Sequence, residues 1–277
     1  CHTSVRTVIP HSHFIATTQQ ITCILVLRAM KIPSIAVLAI SSVSSSVALA
    51  IPSLELKYFD ARGAAETARI ILALGDEEYT DSRYEIAPGT MSAPEFKAAK
   101  ESGELDANLG RAPLLLIDGD QPIGQSKAIE RYLAKKCGLM GDSDLDAAQI
   151  DCIAEHCRDV KDAQMRKGFS AFNKDKSDEE KAEARKEWFE TDMPVMLGKV
   201  EKAVKLTSGK DGYAFGEKNS YADVAIFSLL KDITMDADKE DTLKAAENCA
   251  LLVSIAERIS NEPNVSKWVG NRPKSMF

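Results

Sequence analysis

Four short passages of the sequence place reactive or ligand-binding residue types where a sheet or helix ends. In residues 57–63 (KYFDARG), Tyr58 stands at the end of a predicted strand, before a glycine that opens a predicted helix. Open α/β sheets bind their ligands in the loops at strand ends. Tyr58 is therefore either a ligand-binding side chain or an ordinary amphipathic tyrosine with its hydroxyl at the surface.

The second passage, Arg111-Ala112-Pro113, stands immediately before the apolar run 114–117. Proline has no N–H for a sheet hydrogen bond, and it restricts the preceding residue, Ala112, to an extended conformation. The passage is a candidate part of a site, and it is equally typical of the plain start of an edge strand.

The third passage, Gly124-Gln125-Ser126, precedes a predicted helix, and the fourth is Ser220-Tyr-Ala-Asp223. Ser126 could simply cap its helix. The same position also favours a bound carboxylate, because free N–H groups and the helix dipole both attract an anion. Ser220 and Asp223 have the spacing of a capping box, with Asp in place of the usual Glu or Gln, and this pair is interpreted as structural.

The elements that carry these passages change character along the chain. Residues 54–135 predict the order strand, helix, strand, helix, two strands and helix, with an Asp118-Gly119 hairpin turn between the last two strands. After a predicted linker at 139–146, apolar residues recur at helical spacing, for example Ile150, Ile153, Cys157 and Val160. The sequence thus predicts an α/β domain at 51–138 and an all-helical domain at 139–277.

Three further helices are predicted in the second half. One begins near Asp178 and is expected to kink at Pro194, one begins at Ser220, and one carries Leu251 and Ile255. The methionine and aromatic residues at helical spacing are interpreted as core rather than as a cofactor site.

The first fifty residues differ from the rest. From Met30, a basic Lys31 precedes an apolar stretch and a small-residue end at Ala48-Leu-Ala50, the pattern of a secretory signal peptide at 30–50. A membrane anchor would need roughly 20 apolar residues, and the apolar stretch here is far shorter. We therefore expect a secreted or secretory-pathway protein, with a cytoplasmic location as the alternative and no membrane span.

Composition excludes several classes of function. All 42 acidic residues lie beyond residue 50, together with 32 of the 35 lysines and arginines. This part of the chain is therefore net acidic, which argues against nucleic-acid partners. His156 is the single histidine beyond residue 50, so no multi-histidine metal site is expected. The spacing of the four cysteines beyond residue 50 fits neither a redox motif nor a zinc pair, and they are interpreted as buried thiols: Cys137, Cys152, Cys157 and Cys249.

Taken together, the passages resemble the cytosolic-type glutathione transferases, nearest the tyrosine-using alpha, mu, pi and sigma classes. The resemblance covers 53–277 and rests on YFDARG at 58–63, Ala-Pro at 112–113, QSKAIERYLA at 125–134, SYAD at 220–223 and Asn-Arg-Pro at 271–273. It implies a thioredoxin-like domain followed by an all-helical domain. It also implies glutathione as a co-substrate, with no permanently bound cofactor and no metal.

The resemblance assigns roles to the glutathione-binding residues. Tyr58 aligns with the tyrosine whose hydroxyl donates to the glutathione sulfur, and Pro113 aligns with a cis-proline that turns Ala112 toward the cysteinyl backbone. Gln125 and Ser126 align with the pair that holds the γ-glutamyl carboxylate.

The resemblance assigns roles to two more residues. Asp159 aligns with an acidic residue that, in several classes, reaches across a homodimer to the γ-glutamyl amine. Lys100 could meet the glycyl carboxylate, although residues 93–110 align poorly.

The sequence also departs from the family pattern. Arg111 stands where these classes often have Gln or Lys, and Ala64 stands where alpha and sigma relatives often place an activating arginine. Arg62 is near that position. The expected activity is conjugation of glutathione to small hydrophobic electrophiles. The alternatives are a sigma-type glutathione-dependent isomerase and a non-catalytic ligand-binding or structural relative, as some lens crystallins are.

Overall fold

A computed structural model describes residues 52–87, 89–90, 92–171, 173–232 and 235–275. These residues belong to one compact unit, Ala50–Phe277. The predicted signal peptide at 30–50 lies outside the described residues and stays a prediction. None of the described helices is both long enough and apolar enough to cross a membrane.

The first half of this unit is built on a four-stranded mixed sheet. Its strands are β1 (Leu54–Phe59), β2 (Thr80–Tyr84), β3 (Leu114–Ile117) and β4 (Gln121–Gly124), in the spatial order β2-β1-β3-β4. β1 pairs parallel with β2 and antiparallel with β3, and β3 pairs antiparallel with β4. The predicted Asp118-Gly119 hairpin is present; its loop has three residues, 118–120, and Asp118 and Gly119 both have positive φ.

Helices cover both faces of the sheet. α1 (Glu66–Leu74) follows a 3₁₀ turn at Gly63–Ala65, α2 is Pro94–Glu101 and α3 is Ser126–Lys136. Because strand side chains alternate between faces, Leu54 and Leu56 of β1 join the core under α1 and α3. Phe59 packs instead with Phe96 of α2 in a smaller cluster on the other face. This is the predicted thioredoxin-like architecture.

The second half is all helical, as predicted. Its helices are α4 (Asp144–Lys167), α5 (Asp178–Glu187), α6 (Met193–Val204), α7 (Tyr221–Phe227), α8 (Lys239–Ala245), α9 (Ala250–Asn261) and α10 (Pro263–Asn271). Two short helices, α8 and α10, were not predicted, although Pro263 at the first position of α10 is a typical helix start.

Two predicted boundaries are wrong in detail. The linker expected at 139–146 ends earlier, because Ser143 caps α4 and exchanges hydrogen bonds with Asp146. The kink expected at Pro194 is instead a π-helical turn just before this proline, formed by residues 188–192 between α5 and α6. Proline has no N–H to bond the carbonyl four residues earlier, so the chain widens before it.

The prediction of four buried thiols is correct for two of them. All four described cysteines are free; Cys157 and Cys249 are buried, Cys137 is half-buried, and Cys152 is exposed. Cys152 and Cys157 are five residues apart on α4, which points them in different directions. Since Cys157 faces the core with Ile153, Cys152 faces solvent, where its sulfur lies 3.5 Å from Nε2 of His156.

A buried ionic network fastens the two halves together. Glu66 of α1 accepts hydrogen bonds from Arg69 (3.0 Å), Trp268 (2.8 Å) and Arg272 (2.7 Å), and Arg272 also donates to Asp232. Burial alone would raise the pKa of Glu66. The Arg69 charge and the bonds from α10 outweigh it and lower that pKa. The network fixes the start of α1, and therefore the loop before it, against the helical half.

Candidate glutathione-binding edge

The loop between β1 and α1 prepares the hydroxyl of Tyr58 to donate a hydrogen bond. The half-buried ring ends with its oxygen 3.1 Å from the backbone nitrogen of Ala64, whose N–H it accepts. The hydroxyl proton makes no hydrogen bond to the described residues. Because one lone pair is already used by an amide, the phenol is oriented to act as a donor to a ligand.

Gly63 makes this arrangement sterically feasible. Its φ is +41°, and a Cβ atom at this position would lie 2.5 Å from the Tyr58 oxygen. Any side chain here would displace the ring or the loop. The glycine that the sequence suggested as a helix start therefore has a second role, which is to leave room for the tyrosine hydroxyl.

Arg62, the residue nearest to the missing family arginine, is turned away from Tyr58. Its buried guanidinium donates to the carbonyl of Asp232 (3.1 Å) and reaches Asp236 (3.5 Å) in the helical half. The positive charge beneath the tyrosine belongs to Arg69 instead. Arg69 is fully buried, lies 5.9 Å from the centre of the Tyr58 ring and donates to the carbonyl of Ala61.

The structure brings the second sequence passage to the same side of the sheet. The peptide bond between Ala112 and Pro113 is cis, as the resemblance implies. Pro113 is buried, whereas Arg111 is exposed. Lys100 of α2 is exposed, and its methylene groups lie over Gly110, three residues before the proline. Lys100 is thus placed beside this turn.

The third passage begins α3 in an uncommon conformation. Gln125 has φ +68° and ψ 115°, a region that residues other than glycine rarely occupy, and its side chain is exposed. Ser126 is the first helical residue, and no side-chain cap bond closes this helix end. The alternative that Ser126 serves only as a helix cap is wrong; its hydroxyl makes no hydrogen bond to the described residues and is available to a ligand.

A residue that the sequence analysis missed connects these two passages. Asn108 is 3% exposed; its side-chain amide donates to the carbonyl of Pro113 (2.8 Å), and its side-chain oxygen accepts the N–H of Gln125 (3.1 Å). Gly124 permits this approach, because a Cβ atom there would lie 2.7 Å from the Asn108 Cβ. No periodic or motif signal marks an isolated asparagine in a loop.

Asp159 lies apart from these groups, on the exposed face of α4. It forms no hydrogen bond or ion pair with the described residues, unlike Arg158 next to it, which pairs with Glu155 (3.1 Å). Within one copy of the chain, Asp159 is therefore free to meet something outside it.

The sheet has the strand order of a thioredoxin-like domain, it carries a tyrosine and a cis-proline at one edge, and a helical bundle follows it. These features define a two-domain protein with a thioredoxin-like first half. Residues 54–135 match the glutathione S-transferase N-terminal domain family, and residues 163–272 match the glutathione S-transferase C-terminal domain family. The chain belongs to the glutathione S-transferase family.

Similar proteins include both enzymes and a crystallin. A glutathione S-transferase of Plasmodium falciparum is 34% identical over 226 residues, covering 80% of this chain and 97% of that protein. S-crystallin 4 of Enteroctopus dofleini is 27% identical, over 82% of this chain and 100% of the crystallin. The solved glutathione S-transferase of Ascaris lumbricoides is 27% identical, with a TM-score of 0.66 over 82% of this chain and 100% of that one.

Proposed function

We propose that this chain is a glutathione transferase that conjugates the glutathione thiolate to small electrophiles. The observation that carries the proposal is the Tyr58 hydroxyl, which accepts the Ala64 N–H and keeps its own proton available for a ligand. Family membership supports glutathione as the co-substrate. A protein that only stored ligands would not need a phenol prepared in this way.

The chemistry follows from a hydrogen bond to a charged acceptor. A thiol has a pKa near ~8.5 when free, and a donor to its sulfur stabilises the thiolate. The thiol proton leaves to solvent, and the sulfur then attacks the electrophilic carbon. With an aryl chloride, a carbon–sulfur bond forms, the carbon–chlorine bond breaks, and chloride departs with the bonding electrons.

The other residues of this edge hold the peptide while the sulfur reacts. In this proposal the backbone of Ala112 pairs with the cysteinyl part, and Gln125 and Ser126 take the γ-glutamyl carboxylate at the start of α3. Free N–H groups and the helix dipole favour a carboxylate there. Lys100 would meet the glycyl carboxylate. Such fixed positioning lowers the barrier by orienting the two reactants.

A turnover assay with glutathione and 1-chloro-2,4-dinitrobenzene tests the proposal. We expect product formation well above the uncatalysed rate, saturable in glutathione. A rate equal to the buffer control, together with a folded protein by circular dichroism, would contradict it.

The similarity to S-crystallin 4 favours a second candidate, a non-catalytic relative. Measuring glutathione binding by calorimetry on the same sample separates the two. Binding without turnover of several electrophile classes would support the crystallin-like function, whereas binding with turnover supports the transferase.

A further inference from the structure

A cavity of about 420 Å³ lies in the helical half, lined among the described residues by the end of α4, the loop after it, α5 and the segment after α7. Its apolar wall includes Met165, Phe169, Leu229 and Met235. A volume in this range suits a small molecule of one or two rings.

One segment of the helical half contacts the loop that carries Tyr58 and also lines the cavity. Arg62, four residues after the tyrosine, donates to Asp232 and reaches Asp236, which lie in the segment that forms one wall of the cavity. In the same region Thr67 of α1 bonds the hydroxyl of Ser228 (3.2 Å). A ligand in the cavity would therefore lie on the helical side of the proposed sulfur site.

Two cationic side chains line this cavity, and their surroundings differ. Arg185 is compensated, since it pairs with Asp238 (2.8 Å) and with Asp241. Lys161 of α4 is partly buried and makes no hydrogen bond or ion pair with any residue in the described ranges. A partly buried ammonium group without an ion-pair partner gains most from a ligand that brings its own negative charge.

The acidic groups near Lys161 each contact another cationic side chain, although the second carboxylate oxygen of Asp232 accepts no hydrogen bond from the described residues. The groups that face its ammonium are Lys127 and Glu130 of α3, Cys157 on its own helix, and Asp232. Glu130 pairs with Lys127 (2.8 Å), and Asp232 accepts from the arginine of the interdomain network. Burial raises the pKa of the Cys157 thiol, which is therefore neutral at pH 7. Glu130 and Asp232 attract the Lys161 charge, but neither forms an ion pair with it within the described part of the chain.

Burial, and then the Lys127 charge, lowers the pKa of Lys161 to about 8. The side chain is thus mostly protonated at pH 7 and mostly neutral at pH 9.

We propose that this cavity holds the electrophile and that Lys161 selects electrophiles with an apolar body and one anionic group, such as an aromatic carboxylate. The proposal rests on the proposed transferase function and specifies its substrate class. Lys161 acts here as a specificity-determining residue that contacts the substrate away from the reacting carbon.

Two electrophiles that differ only in charge test this selection. 4-Chloro-3-nitrobenzoate and 4-chloro-3-nitrobenzamide lose the same chloride from equivalent ring carbons. We expect Lys161→Met to lower kcat/KM for the carboxylate roughly tenfold, the effect of one charged hydrogen bond at a partly exposed site, and to leave the amide nearly unchanged. Lys161→Arg should retain the preference.

The matched control is Lys167→Met, which removes the same charge from the same helix. Lys167 pairs with Glu187 (2.9 Å) and with Asp192, away from the cavity lining. Equal losses in the two lysine variants would assign the effect to long-range charge and overturn the proposal. A raised KM for glutathione in Lys161→Met would also overturn it, by placing Lys161 at the peptide.

The pH dependence gives an independent readout. In the unsubstituted protein the ratio of kcat/KM for the carboxylate to that for the amide should fall as pH rises from 7 to 9, because Lys161 loses its proton. In Lys161→Arg the ratio should stay constant over this range. A constant ratio in both proteins would contradict the proposal.

Direct binding keeps the proposal testable if neither electrophile turns over. 8-Anilinonaphthalene-1-sulfonate and N-phenyl-1-naphthylamine share the same rings, and the first adds one sulfonate. Fluorescence titration should show Lys161→Met weakening the sulfonate about tenfold and the neutral amine hardly at all. Unchanged binding of both would overturn the anion selection, whereas absent turnover alone overturns only the transferase function.

Discussion

The tyrosine hydroxyl at the end of β1 has two hydrogen-bonding capacities, and the structure uses one of them. The Ala64 N–H occupies a lone pair of the Tyr58 oxygen, while Gly63 keeps the space beside that oxygen free. The buried Arg69 below the ring also ties down the loop through the Ala61 carbonyl. The position of one donor therefore depends on three neighbours that have no direct part in the chemistry.

The first prediction at this scale concerns Tyr58→Phe. The substitution keeps the ring and deletes one charged hydrogen bond, worth roughly 1.5–3 kcal/mol, so kcat near neutral pH should fall about ten- to a hundredfold. The pKa of bound glutathione should rise, and higher pH should restore much of the rate. The measurement is the pH profile of conjugation together with thiolate absorbance of bound glutathione.

Tyr213→Phe is a matched control, because Tyr213 stacks on Arg258 (4.0 Å to the ring centre) in the helical half. It should behave like the unsubstituted protein. A pH profile that Tyr58→Phe leaves unchanged would remove Tyr58 from thiol activation.

The second prediction concerns Asn108, which holds the Pro113 turn and the Gln125 backbone together. Asn108→Ala deletes both bonds, so KM for glutathione should rise about tenfold while kcat changes little, because the bonds shape the peptide site and not the sulfur site. Stability should fall by about 1–3 kcal/mol, since buried polar groups lose their partners. Initial rates at varied glutathione and urea unfolding measure the two effects.

Asn108→Asp and Ala107→Ser complete this test. Aspartate can still accept the Gln125 N–H but cannot donate to the Pro113 carbonyl. The KM of Asn108→Asp for glutathione should therefore lie between that of the unsubstituted protein and that of Asn108→Ala. Ala107 is exposed, and its serine variant should bind glutathione normally. An unaltered KM in Asn108→Ala would refute the positioning role.

At the scale of elements, the chain uses the same helix-start motif in buried and exposed places. Asp223 of α7 is fully buried; it accepts from the N–H of Ser220 (2.9 Å), from its hydroxyl (2.6 Å) and from the N–H of Ala214 (2.8 Å). Glu180 of α5 makes the corresponding bond to Ser177 (2.7 Å) at the surface. Burial raises the pKa of Asp223, and exposure leaves Glu180 open to water.

These two helix starts give the third prediction. Asp223→Ala should cost about 2–4 kcal/mol, because a cap is lost and buried N–H groups are left without acceptors. Glu180→Ala should cost clearly less, because water replaces the carboxylate. Urea unfolding at pH 7 compares the two variants, and equal losses would show that burial does not set the strength of the cap.

At the scale of the whole molecule, the exposed and unpaired Asp159 leads to the fourth prediction. We expect the protein to form a twofold homodimer in which Asp159 meets the γ-glutamyl amine in the partner's site. Asp159→Ala should then weaken glutathione binding more than it slows the bound reaction, since the amine does not react. Sedimentation velocity and calorimetry measure these two properties.

Asp162→Ala controls for the loss of a negative charge on the same helix, since Asp162 is occupied by Arg158 (3.5 Å). It should leave glutathione binding unchanged. A monomer at micromolar concentration that binds glutathione normally would contradict the role assigned to Asp159.

Local patterns in the sequence were sufficient for the architecture. The strand at Leu54–Phe59, the Asp118-Gly119 hairpin and the stripe of Ile150, Ile153 and Val160 were all predicted and are all present. Each depends on side-chain alternation, helical periodicity or turn chemistry, which are properties of neighbouring residues. The same patterns, read as a family resemblance, also pointed to Tyr58, Pro113, Gln125 and Ser126.

The neighbours of these residues follow from the packing of segments that are far apart in the sequence. Asn108 meets Gln125 across 17 positions, Glu66 meets Arg272 across 206, and Lys161 lines a cavity whose opposite wall lies some 70 residues further on. Such contacts depend on how elements pack, and no local pattern encodes them. Local sequence patterns therefore predict most of the elements and single out the tyrosine, whereas the support of the site and the lysine of the neighbouring cavity depend on contacts between distant segments.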